Sequence, residues 1–310
     1  MSHILVTGAA GFIGSHTVEH LLTAGHTVAG IDNFRTGRKE NLDRVWHHPR
    51  FHFEKLDISR VVFAEAYINR TRPEIIIHVA ALVSVQESIQ NPALNFRLNI
   101  ATTHVVAEAA RRYGVKRIVF ASSAAAYGHA AKLPVCEDAK KRPISPYGAA
   151  KLASESILLG HGGAFGLTVC CLRYFNVYGP RQDPNSPYSG VISIFCSRLR
   201  ADKFLTIFGD GSQTRDFISV HDVARANVIA ATKAQIPSGA YNICTGRAIS
   251  VSRLAETLGE LIPAAPKPRH AKARGGDIQH SCGDPGLAKS KLRFEAQISI
   301  EEGLKELIQM

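Results

Sequence analysis

The chain has 310 residues, 45% hydrophobic and 20% charged, which argues against disordered, collagen-like and fibrous classes and leaves room for about two ordinary domains. Lys and Arg (37) outnumber Asp and Glu (26), and the formal net charge of +11 suits anionic partners such as nucleotides, phosphorylated metabolites or nucleic acid. The six cysteines show no CxxC spacing, no apolar run approaches the ~20 residues of a membrane span, and the N-terminus lacks signal-peptide order; reduced thiols and a cytoplasmic setting are expected.

Along the chain, short β-branched runs alternate with helical patterns. HILVT, HTVAGID, FHFEKLD, EIIIHVA, KRIVFAS and LTVCCLRYF read as strands, and ATTHVVAEAARRYG, with apolar residues three and four apart, reads as a helix between two of them. Strands apolar at nearly every position are buried on both faces, so the pattern predicts an α/β fold built on a doubly wound parallel sheet of Rossmann type. After Tyr174 the Pro- and Gly-rich segment NVYGPRQDPNSPYSG breaks the rhythm. Beyond it come a helix at 192–201, a strand at 204–208, a helix at 220–232, a strand at 241–244 and a terminal helix at 299–308. The expected division is a dinucleotide domain over 1–174, to which 213–243 returns, and a smaller mixed α/β substrate domain over 175–310.

Gly8, Gly11 and Gly14 lie in TGAAGFIG, between the strand ILVT and a helical pattern. Glycines there permit a tight turn and close backbone approach, and the helix N-terminus offers free N–H groups to a pyrophosphate. Asp32 ends the second strand, 18 residues after Gly14, where a carboxylate accepts hydrogen bonds from the adenosine ribose and repels a 2′-phosphate. NAD is therefore expected over NADP, with Arg35 and Arg38 in the same loop able to soften the preference.

Tyr147 and Lys151 form a YxxxK pair, and residues four apart share a helix face. An ammonium beside a tyrosine stabilises its phenolate and makes it a usable base. Ser122 and Ser123 end the strand KRIVFAS at its carboxyl end, the edge where open α/β sheets bind ligands. Ser123 can hydrogen-bond a reacting hydroxyl there and share its proton path with Tyr147.

TGAAGFIGS, Asp32-Asn33, LDI at 56–58, HVAALVSV at 78–85, FASSAAAYG at 120–128, YGAAK at 147–151 and LRYFNVYGPRQ at 172–182 together resemble the extended short-chain dehydrogenase/reductase family. Within it the chain looks most like the UDP-hexose 4-epimerases acting on UDP-glucose or UDP-N-acetylglucosamine. The resemblance spans essentially the whole chain. It implies that Gly8, Gly11, Phe12, Ile13 and Gly14 bind the NAD pyrophosphate and that Asp32 and Asn33 bind the ribose. It further implies that Asp57 and Ile58 flank adenine, that Ala80, Ala81, Asn99 and Ser122 line the cofactor groove, and that Ser123, Tyr147 and Lys151 form the catalytic trio, the last two also touching NAD. Asn176, Val191, Thr206, Phe208, Arg215, Arg274 and Asp277 match positions that hold the nucleotide diphosphate of a UDP-sugar, with Ser123 and Tyr147 at the sugar. A guanidinium fork suits phosphate oxygens, whereas Asp277 suits the uridine ribose.

The implied reaction is a cycle. Tyr147 takes the 4-hydroxyl proton as hydride leaves C4, the 4-keto sugar turns over about its diphosphate tether, and hydride returns to the other face. Ser281 stands where related enzymes carry a bulky tyrosine, so room for a 2-acetamido group is expected. Nucleotide-sugar dehydratases and decarboxylases carry acids where this chain has Ala124 and Ala125, which disfavours elimination. UDP-glucuronate 4-epimerisation, or a non-catalytic NAD-binding regulator of the same fold, are the alternatives. A homodimer is expected through the helices at 101–113 and 147–159, with no nucleic-acid or membrane partner. No metal is expected either: His47, His48 and His52 cluster near Trp46 without a completing ligand. The sequon at Asn69 is a chance match.

Overall fold

The computed structural model describes residues 1–183, 190–262, 266–273 and 278–309. In chain order its first part comprises β1 (His3–Thr7), α1 (Phe12–Thr23), β2 (Thr27–Asp32), β3 (Phe51–Lys55), α2 (Val61–Thr71), β4 (Ile75–His78), α3 (Val85–Gln90), α4 (Pro92–Asn95), α5 (Thr102–Arg112), β5 (Arg117–Ser123), α6 (Pro146–Phe165) and β6 (Thr168–Tyr174). There follow β7 (Asn176–Tyr178), α7 (Val191–Arg200), β8 (Thr206–Phe208), β9 (Thr214–Ser219), α8 (Val220–Thr232), β10 (Gly239–Ile243), β11 (Ala248–Ser250), α9 (Val251–Leu261), β12 (Arg269–Ala271) and α10 (Ile300–Gln309).

A seven-stranded sheet, ordered β10-β6-β5-β4-β1-β2-β3 and parallel throughout, forms the centre of the larger unit. This is the Rossmann-type doubly wound arrangement. Period-two alternation explains why its strands read as continuous apolar runs. Ile4, Val6, Ile75 and Ile77 face one layer with Val18 and Leu21 of α1 and Ala226 and Ala230 of α8. Leu5, Ile76 and Ile118 face the other, with Ile68 of α2, Val106 of α5 and Leu158 of α6. Each such aliphatic side chain, taken from water, contributes about 1.5–3 kcal/mol before entropy is counted. The sheet order reverses between β1 and β4, and the crevice that opens at the carboxyl ends of these strands is the place for a ligand.

The smaller unit has a three-stranded sheet, β11-β9-β7, and a two-stranded one, β12-β8. Its core joins Phe195 and Leu199 of α7, Leu254 and Leu258 of α9 and Leu304 of α10. The chain passes between units more than once: after β9 in the small sheet, α8 packs on α1 and β10 extends the large sheet beside β6. Within 213–243, then, Thr214–Ser219 lies in the small sheet and the return proper begins with α8. Among the described residues no helix is long and apolar enough to cross a membrane.

Candidate active site

β1 ends at Thr7, and the next residue, Gly8, turns with φ +71° while its N–H bonds Ile31 O at 2.8 Å. A Cβ on Gly14 would stand 2.0 Å from Gly8 O, so this turn admits only glycine where helix meets loop. α1 starts directly after Gly11, whose lack of a side chain leaves the first-turn amides facing outward uncapped. Gly8, Gly11, Phe12, Ile13 and Gly14 all line one cavity of about 910 Å3.

Asp32, Asn33, Asp57, Ile58, Ala80, Ala81, Ser122, Ser123 and Tyr147 line the same cavity. Asp32 is buried, and its carboxylate accepts the N–H of Ala10 at 3.0 Å and of Phe34 at 2.7 Å. Burial pushes its pKa up, and these main-chain donors work against that rise. Asp57 is turned into its own loop, accepting from Ser59 N–H and Oγ.

Asn99 departs from expectation. It is buried outside the cavity wall, where its amide accepts from Leu82 N–H at 2.9 Å and donates to Leu82 O and Asn95 Oδ1. A side chain so engaged holds the loop after β4 in place and leaves the wall to Ala80 and Ala81.

The YxxxK pair falls on the first turns of α6. Ser145 caps that helix by accepting Gly148 N–H, and Pro146 fits its first position. Burial raises the Tyr147 phenol pKa, and the nearby Ser123 hydroxyl works against that rise. Lys151 is buried away from the cavity wall: its ammonium donates to Ala121 O at 2.8 Å and lies 5.8 Å from the Tyr147 ring centre and 4.9 Å from that of Phe120. Burial brings its pKa down to about 7, against an opposing pull from Glu155.

A buried polar network backs this trio. Ser122 Oγ donates to Glu155, and Arg173 grips both Glu155 oxygens, at 2.9 and 2.6 Å. Arg173 also donates to the Tyr127 hydroxyl, which donates to Asn242 Oδ1 on β10. Sequence reasoning did not single out Glu155 or Arg173. The available signals were an acid one helical turn beyond Lys151 and an arginine inside the apolar run VCCLRYF.

A second cavity, of about 250 Å3, is lined by Asn176, Val191, Thr206, Phe208 and Arg215, all expected at the nucleotide. Val177 and Gln182 belong to both walls, so the two cavities meet there. Arg215 donates to Thr214 O at 2.9 Å. Ser281 donates its N–H to Thr214 O at 3.1 Å and lines neither cavity. Arg274 and Asp277 lie outside the described residues.

Comparison with known proteins points the same way. A UDP-glucose 4-epimerase of Mycolicibacterium smegmatis is 37% identical over 98% of this chain and 97% of its own. The crystal structure of a UDP-glucose 4-epimerase with UDP-glucose, from Thermotoga maritima, superposes with a TM-score of 0.93 at 40% identity, covering 99% of this chain and 97% of that one. A UDP-N-acetylglucosamine 4-epimerase from Methanobrevibacter ruminantium in complex with UDP-N-acetylmuramic acid also has a TM-score of 0.93, at 34% identity and 99% and 97% coverage. The sequence pattern of one family runs through residues 4–244, and on that match the chain belongs to the NAD dependent epimerase/dehydratase family.

Proposed function

We infer that the protein epimerises C4 of a UDP-hexose, interconverting UDP-glucose and UDP-galactose. The observation that carries this reading is the meeting of two cavities at Val177 and Gln182: one is lined by Tyr147 and Ser123, the other by Arg215. A nucleotide sugar spanning that junction has its phosphates at the guanidinium and its sugar at the phenol.

The larger cavity fits NAD. Its glycine turn leaves no space for a Cβ at Gly14, the α1 amides face a pyrophosphate, and Asp32 stands at the end of β2 for a ribose. When bound, NAD supplies the hydride acceptor that an otherwise redox-neutral epimerisation needs. Tyr147 removes the proton of the 4-hydroxyl through or beside Ser123 and later returns it. Lys151, fixed by Ala121 O, acts on the phenol through its charge. Arg215, Thr206 and Phe208 grip the nucleotide, with Arg274 and Asp277 assigned there by the family resemblance, so that the 4-keto sugar turns while its tether stays bound. With Ser281 in place of a bulky residue, the 2-acetamido sugars UDP-GlcNAc and UDP-GalNAc are accepted too.

Pairing of two copies through α5 and α6 belongs to this reading. Phe96, leading into α5, and Phe165, ending α6, are 57% and 54% exposed, and a second copy laid on these helices covers them. Incubation with UDP-glucose, UDP-GlcNAc and UDP-glucuronate in turn, with NMR of the products, tests the reaction. Inverted C4 in the first two supports it; inversion of UDP-glucuronate alone, or no product, overturns it.

A further inference from the structure

The larger cavity has a charge pattern opposed to that of the whole chain. Among the described residues its wall carries Arg35, Arg38 and Arg181 against Asp32, Asp57, Glu87 and Asp183. A protein of net charge +11 thus faces its dinucleotide with more carboxylates than guanidiniums.

Two of those arginines spring from the loop that folds over Asp32. Arg38 N–H bonds Ala10 O at 3.0 Å, and Gly37 lies so close that a Cβ there would be 2.8 Å from Asp32 Oδ2. Cations rooted beside the ribose carboxylate are where a 2′-phosphate would look for them. Both are engaged by acids from other parts of the chain. Arg35 pairs with Glu87 on α3, and Arg38 pairs with Asp183 beyond β7 at 2.6 Å. The neighbouring cations are directed elsewhere: Lys39 over the Trp46 ring, Lys55 over Phe34, and Arg181 onto Glu19 of α1.

We propose that Glu87 and Asp183 are specificity determinants that turn away NADP, by neutralising the two arginines the β2 loop would otherwise offer its 2′-phosphate. The inference rests on Asp32 taking the adenosine ribose. Asp32 then opposes the phosphate directly, and the two acids remove the compensation that Arg35 and Arg38 would give. Pairs this exposed contribute little to stability, so cutting them leaves the fold intact, while each charge deleted beside a phosphate dianion acts on two charges at once.

The test uses the holoenzyme and the variants Glu87→Gln, Asp183→Asn, their double and Asp32→Asn. Each is equilibrated with graded mixtures of NAD and NADP and passed through gel filtration, and the retained dinucleotide is identified by chromatography after denaturation. The NADP-to-NAD ratio should rise about tenfold in the double variant, less in each single one, and the rise should shrink at about 0.5 M salt, where screening acts over a few Å. A raised ratio in Asp32→Asn with an unchanged ratio in the double variant overturns this proposal alone. Unchanged ratios in both overturn the ribose assignment and this proposal with it.

Discussion

Lys151 directs its ammonium at the carbonyl oxygen of Ala121, 2.8 Å away, and so is held by the carboxyl end of β5 instead of by the Tyr147 phenol. The Tyr147 ring centre is 5.8 Å from that ammonium. This arrangement separates two roles that a direct bond would merge. In the proposed reaction Tyr147 moves the proton and Lys151 sets the field in which it moves. Tyr147→Phe should lower kcat about a thousandfold and keep NAD bound, as expected for loss of a general base with its pocket intact. Lys151→Met should lower kcat comparably with Tyr147 still in place. A coupled assay of UDP-galactose conversion, with bound dinucleotide measured in parallel, checks both; a near-normal rate for Tyr147→Phe removes it from the mechanism.

Glu155 and Arg173 form an ion pair whose side chains are only 3% and 4% exposed. Such a pair is costly to bury and costlier to break, because the survivor keeps its charge without a partner. Arg173→Met should destabilise the protein by about 3–5 kcal/mol in urea unfolding, whereas the double change Glu155→Met with Arg173→Met should recover much of that loss. Equal destabilisation by the single and double variants would mean that the pair matters through packing and not through charge.

What the sequence disclosed follows from the range of each signal. β1, β2, β4, β5 and β6 were legible because strands covered on both faces are apolar at nearly every position, edge strand β3 (FHFEK) because its aromatics alternate, and the glycine turn and YxxxK pair because their function depends on local spacing. β7, β11 and β12 went unread because at three residues each they are too short to show alternation, and six-residue β9 went unread because its run TRDFIS mixes charged and polar residues with few apolar ones. α9 was missed although Val251, Leu254, Ala255 and Leu258 fall on one face, because its start follows a strand without a break. Asn99 was expected at the cofactor groove and Glu155 was not singled out; the partners each takes, Leu82 for one and Arg173 for the other, belong to no sequence motif and meet only through the fold.

Ser281 tests how far local chemistry reaches. Its backbone is pinned to Thr214 on β9, next to Arg215, yet its small side chain lines neither cavity. On the family resemblance, a tyrosine at this position competes with a 2-acetamido group. Ser281→Tyr should therefore depress kcat/KM for UDP-GlcNAc by about tenfold or more and affect UDP-glucose much less, in keeping with the size of steric discrimination in a pocket. Parallel loss on both substrates would reject a gatekeeping role for this position.

Burial of His16 and His78 keeps both rings from protonating in the fold and should weaken stability toward acid. Both are buried, and burial brings the pKa of each from 6.5 down to about 3. His16 bonds Pro180 O through Nε2 at 3.1 Å, near the Arg181 cation that also disfavours its charge, while His78 meets Thr7 Oγ1 at 2.8 Å and feels Lys151. The folded state keeps both rings neutral while the unfolded chain protonates them below its own pKa. The unfolded state then binds more protons, so stability is complete above pH 6.5 and falls as pH drops from 6.5 toward 3. Each ring adds a slope of up to about 1.4 kcal/mol per pH unit across that window. Urea unfolding measured between neutral pH and mild acid should show this decline, and His16→Asn should make it shallower by about one proton. An unchanged slope in that variant would show that His16 is already charged in the fold, or that the rise in stability belongs to the carboxylates.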